Sequence, residues 1–223
     1  MELRLYKYHD IENSKKLDLI GVVDDCISVV FTRSWAGIGE WHVKMSNHSP
    51  HIQWFYEAQF IRFHHFAAGL INKANSIINE EEETTTFNGV ELKGLASLRV
   101  IDPREYDKTK YDYPENLKKY LLEQNISSPS NTNRTIPCVV NIARYWGGGS
   151  SPGKTSYNPV YDNLGEVLTR LSTTYNDGWY ADITTYSEII DYKRTKNMIC
   201  FQRESRTDTD CNVVVGKYYN NYN

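Results

Sequence analysis

The chain of 223 residues contains no apolar run approaching the roughly 18 residues that a bilayer-spanning helix needs, so no helical membrane span is expected. The opening MELRLYKYHD carries charges where a secretion leader needs an apolar core, so no leader is expected. There is no basic excess either. Lys and Arg number 25 against 28 Asp and Glu, and the net charge of −3 argues against a protein that mainly binds nucleic acid nonspecifically. Cysteine is scarce. Cys26, Cys138, Cys200 and Cys211 form no C-x-x-C pair and have no histidine at zinc spacing, so they read as small buried residues in a reducing compartment. The pair His64–His65 falls on a strand pattern, which points the two rings to opposite faces; His9, His42, His48 and His51 show no ligand spacing. No metal and no cofactor are expected. No G-x-S-x-G elbow, internal repeat or heptad run is present.

What is present is a β-rich pattern. Hydrophobic residues make up 40% and charged residues 24%, enough apolar side chains for a packed core. Seventeen tyrosines suit half-buried strand positions. The clearest local structure is Ile27–Met45. Val29, Phe31, Arg33 and Trp35 alternate with Val30, Thr32 and Ser34; Trp41, Val43 and Met45 resume the alternation after AGIGE. The glycines mark a hairpin loop of three to five residues. Further strands are expected at Leu3–Tyr8, Leu17–Val23 (bent at Gly21), Gln59–Phe66, Ile71–Ile78 and Thr84–Phe87. A short helix is expected to begin at Ser49, a solvated acidic tip at Glu80–Glu83, a turn at Asn88–Gly89 and a short helix over Glu91–Leu98, with Leu92, Leu95 and Leu98 on one side.

The pattern changes after Ile101. Asp102–Pro114 reads as a linker. Glu115–Asn125 is an amphipathic helix facing inward through Leu117, Tyr120 and Leu121. Ile136–Ile142 reads as a strand and Tyr145–Pro159 as a loop. Asn163–Tyr175 is a second helix, capped by Asp162, stopped at Asn176–Gly178 and followed by a hairpin of Trp179–Thr184 with Glu188–Tyr192. The KYYNNYN end reads as a tail or further strand. The expected class is α+β, with a β-rich, barrel-like N-terminal domain (1–101), a smaller α+β domain (102–196) and a C-terminal strand or tail (197–223) that can return to the first domain.

One motif has the form of an enzyme signature. Gly148–Thr155, GGSSPGKT, satisfies G-x-x-x-x-G-K-[ST] and follows an apolar stretch. Phosphate binding needs a helix that starts at the Gly-Lys-Thr, so that its first amides face the anion. Pro159 stands four residues after Thr155, where it removes a helix hydrogen bond, and the better helix starts near Asp162. A loop that matches by chance is favoured over a nucleotide hydrolase using Lys154.

Four stretches carry a resemblance: FTRSWAGIGEWHVKM, FNGVELKGLASLRVI, PENLKKYLLEQNISSPSNTNRTIPCVV and YDNLGEVLTRLSTTYNDGWYADI. In this order and spacing they resemble the ReqiPepy-like siphovirus tail proteins, of the baseplate-hub type. The loop Tyr145–Pro159 is more Gly-rich than that family's pattern. The resemblance implies a structural virion component of the tail tip, made in the bacterial host cytoplasm. It implies a homotrimer in contact with distal tail, tape-measure and receptor-binding proteins. It carries no catalytic residue, no nucleic acid and no membrane insertion. Tyr145 and Trp146 are the candidate interface residues, because aromatics are enriched at subunit contacts. Aromatics on a β scaffold also leave a carbohydrate-binding module as an alternative.

Overall fold

The computed structural model describes residues 2–11, 14–64, 67–78, 83–105, 110–136, 138–139, 153–158, 160–187, 195–204 and 213–219. Ten strands form one antiparallel sheet. They are β1 (Leu3–Ile11), β2 (Ser14–Val23), β3 (Ser28–Ser34), β4 (Glu40–Ser46), β5 (Phe60–His64), β6 (Ala67–Ile78), β7 (Glu83–Glu91), then β10 (Gly178–Ser187), β11 (Thr195–Glu204) and β12 (Val213–Tyr219). The order across the sheet is β10-β11-β2-β1-β5-β6-β7-β4-β3-β12. A separate ribbon pairs β8 (Lys110–Asp112) with β9 (Thr155–Tyr157). Helices α1 (Ile52–Glu57), α2 (Pro114–Leu122) and α3 (Leu164–Tyr175) complete the α+β architecture.

Strand alternation sends neighbouring residues into two cores. In β1 Leu5 joins one core and Tyr6 the other; Ile61 and Phe60 divide the same way in β5, and Ala67 and Ala68 in β6. The first core holds Phe31, Trp41, Val43, Met45, Phe63 and Phe87 and is closed by Phe55 of α1, whose ring stacks on Phe87 at 4.6 Å. Phe31 of β3 and Phe63 of β5 lie 4.8 Å apart although β6, β7 and β4 separate their strands in the sheet. Only a strongly curled sheet brings them together, which gives the barrel-like form its physical meaning. The second core packs α2 and α3 through Leu117, Leu121, Val167 and Leu168 against Trp179, Ile183, Ile199 and Phe201 of β10 and β11.

The β3–β4 hairpin is as expected, with Trp35–Gly39 as its loop. Several other elements differ. Strand β7 runs straight through Asn88–Gly89, where a turn was expected. Gly89 stands opposite Trp41, and a side chain there would meet the indole and the Leu70 carbonyl. The glycine makes room for the ring inside a strand, as glycine can where two groups approach closely. The first helix begins at Ile52 rather than Ser49. Leu92–Leu98 is a 3-10 helix, and Leu98 at its end is 65% exposed rather than turned inward. Helix α3 is capped by Asn163, whose Oδ1 accepts from Glu166 N at 3.3 Å, and not by Asp162. Asn176 ends it in the left-handed conformation, as its turn pattern indicated. Strand β10 continues past Thr184 to Ser187 and pairs with β11; Glu188–Tyr192, the partner expected from the sequence, lies outside the described residues. Val139 makes a single parallel bridge to Ile199 in place of the described part of an expected strand.

Candidate docking surface

Three sets of buried charge fix the second half of the chain on the sheet, and all converge on β10. Glu91 accepts from Gly39 N at 2.7 Å and Ser34 N at 3.2 Å, pinning the β3–β4 loop. Lys93, 1% exposed, lies 3.4 Å from Glu91, donates to the Ser34 carbonyl and to the Trp179 carbonyl at 3.2 Å, and stands over the Trp179 ring. Arg62 grips Asp182 with Nε and Nη2, each at 3.0 Å. Lys118 of α2 is fully buried, 2.6 Å from Asp177, which also receives Arg203 Nε at 2.6 Å. Burial pushes the Lys118 ammonium below its ordinary value against the pull of Asp177. Burial likewise raises Glu91, and Lys93 and the two backbone donors only partly offset it.

An exposed groove lies at the end of the 3-10 helix Leu92–Leu98 that carries Lys93. Its volume is about 480 Å³, and its walls include Leu98, Val100 and Tyr161 with Arg99, Arg104 and Arg134. The three apolar side chains are 65%, 54% and 63% exposed. Backbone ties hold them: Ile101 N donates to the Asp162 carbonyl at 2.9 Å, Leu164 N to the Arg99 carbonyl at 2.9 Å, and Val100 bridges Asn163. Arg134 donates to the Val100 carbonyl at 2.6 Å and Asn125 Oδ1 at 3.0 Å; Arg99 donates to the Arg134 carbonyl at 3.0 Å. Asp102 is held by Arg104 through two parallel bonds of 2.9 and 2.7 Å, and this pairing brings its carboxyl down to about 2. Sequence reasoning missed the groove because Leu98 belongs to an apolar helical pattern and its arginines come from segments 30 or more positions apart; only the fold joins them.

The sequence candidates Tyr145 and Trp146 lie outside the described residues. In the Gly148–Thr155 motif, Gly153–Thr155 is described. Thr155 opens strand β9, not a helix, and Lys154 is exposed over the Tyr113 ring at 5.6 Å. The segment therefore lacks the first helical turn that phosphate binding requires. Cys26, Cys138 and Cys200 are buried, and burial pushes their thiols up to about 12, 11 and 11; Cys211 lies outside the described residues. His51 meets Asp25 at 3.0 Å, and these two with Asp24 lie within 4.8 Å of one another.

A family profile described as Siphovirus ReqiPepy6 Gp37-like protein matches residues 8–213. The chain belongs to this family. A phage tail-related protein is thereby identified, as the four sequence stretches indicated. Among solved structures, the Gp37-like chain is similar to the prophage tail protein gp18 from Listeria monocytogenes EGD-e, with 9% identity and a TM-score of 0.46 over 91% of this chain and 50% of that one. A tail protein from Neisseria meningitidis MC58 matches with 7% identity and a TM-score of 0.45, covering 90% and 50%. A 43 kDa tail protein of prophage MuSo2 from Shewanella oneidensis matches with 12% identity and a TM-score of 0.44, covering 93% and 54%. The Gp37-like chain thus spans about half the length of these structures. No curated protein sequence matches it.

Proposed function

We propose that the protein is a structural component of the tail tip or baseplate hub, acting by oligomeric assembly and connecting the tail tube to distal parts. The observation that carries this reading is the family match over residues 8–213. The form of the surface supports it: Leu98, Val100 and Tyr161, three large apolar side chains, are displayed together in an open groove rather than inside a solvent-shielded pocket. Such a surface recognises another protein by burial; it offers no paired acid and base for chemistry. The expected partners are copies of the same chain, in a threefold ring, and neighbouring tail proteins. The test is an epitope tag on the chain in intact particles, located by electron microscopy, with light scattering of the purified protein. A label at the distal end of the tail and a mass three times the 25.9 kDa monomer are expected. A label distributed along the tube, or absent from the particle, overturns the reading.

A further inference from the structure

We infer that the groove walled by Leu98, Val100, Tyr161, Arg99 and Arg134 is a docking site for an acidic, apolar-bearing segment of a neighbouring tail protein. This rests on the assembly reading and adds the chemistry of the partner. The groove's charge is opposite in sign to that of the chain. Among the described residues its walls carry Arg99, Arg104 and Arg134 against the one carboxylate of Asp102, two positive charges in excess, while the whole chain carries −3. Asp102 is already engaged by Arg104 in the two-bond fork. Arg99 is the decisive residue. It is half-buried, its acceptors are the Leu98 and Arg134 carbonyls, and its Nε has no hydrogen-bond partner. Among the described residues no carboxylate pairs with it. Burial first, and the Arg134 charge second, both act against its positive form.

A half-buried guanidinium held beside another one is stabilised by an arriving carboxylate. The walls specify more than charge. Leu98, Val100 and Tyr161 offer exposed apolar area to aliphatic or aromatic side chains of the same segment, a feature a phosphate backbone has no use for. A groove of about 480 Å³ gives room for a short stretch of chain.

The test uses overlapping short peptides that tile the other tail proteins of the particle, immobilised and probed with the full chain. Bound peptides are then measured in solution by fluorescence anisotropy. The expected binders carry Glu or Asp beside Leu, Phe or Trp, and their Glu→Gln versions bind about ten-fold more weakly. Arg99→Gln weakens the acidic peptide to about the same degree and leaves the Gln version unchanged. Val100→Glu, at an exposed position, abolishes both while circular dichroism stays that of the parent. Raised salt weakens the acidic peptide more than its Gln version. Binders that are basic, equal binding of the Glu and Gln versions, binding that survives Val100→Glu, or no binder at all each overturn the inference. So does an oligothymidine competitor that outcompetes the acidic peptide. None of these outcomes moves the tag from the tail tip, so the groove can fail while the assembly reading stands.

Discussion

The two cores of the molecule are built on different physics. The core beneath the curled half of the sheet is dominated by aromatic and aliphatic side chains, with Phe31, Trp41, Phe55, Phe63 and Phe87 filling it. The joint along β10 contains fully or nearly buried Lys93, Lys118, Glu91, Asp177 and Asp182 among its apolar residues. An apolar core tolerates small errors because dispersion and transfer terms are spread over many contacts. A charged joint does not, because removing one partner strands the other in low dielectric. The joint therefore ties α2 and the β3–β4 loop to β10.

The largest effect follows directly. Lys118→Met removes the ammonium from Asp177, Ser172 and the two carbonyls it reaches, and keeps the volume. The expected loss is about 3–5 kcal/mol in urea unfolding. A loss under about 1 kcal/mol would mean that the pair adds nothing net, and the contrast between the cores would collapse.

How much of this was legible in the sequence follows the same division. Alternation located Val29, Phe31, Trp41, Val43 and Met45 in the core, because an apolar period of two has one reading on a curled sheet. The amphipathic faces of α2 and α3 were legible for the same reason, through Leu117, Leu121, Val167 and Leu168. Lys93 and Lys118 were not. A lysine reads as solvent-facing until the fold supplies its carboxylate, and Asp177 is 59 positions from Lys118. The groove shares that limit, since Arg99, Arg134 and Tyr161 meet only after folding. Gly89 misled for a local reason: Asn-Gly is a turn dipeptide unless a tryptophan on the next strand needs the space.

Gly89→Ala tests that last point and comes next in size. The new methyl would stand about 2.6 Å from the Trp41 ring and nearer still to a carbonyl, so neighbours must shift. The expected destabilisation is about 1–3 kcal/mol, with the change confined to the apolar core. An unchanged urea midpoint would show that the indole lies elsewhere. Smaller again is Ile61→Val, deep in the same core, expected to cost about 0.5–1.5 kcal/mol. Its value beside Lys118→Met measures the contrast between the two regions; a larger loss for Ile61→Val would invert it.

The smallest effects are in pH, and the two regions should respond with opposite sign. At the edge of the apolar core, burial disfavours the Asp25 carboxylate, but Ser49 Oγ at 2.6 Å and His51 at 3.0 Å outweigh it and hold the folded value below the ordinary one. A carboxyl lowered on folding stabilises the protein above its unfolded value, about 3.9, and that contribution fades as pH falls through the folded value. Glu91, in the joint, is raised by burial. Between its unfolded value, about 4.3, and its higher folded value the native state binds more protons, so its contribution falls as pH rises. Denaturant unfolding from pH 7 to pH 2 should therefore show less acid loss in Asp25→Asn than in the parent. Glu91→Gln should remove a decline that the parent shows on the alkaline side of about pH 4.3. The same slope in both variants would mean that the joint is wet enough for Glu91 to titrate like a surface acid, and the distinction between the two cores would fail at its most sensitive point.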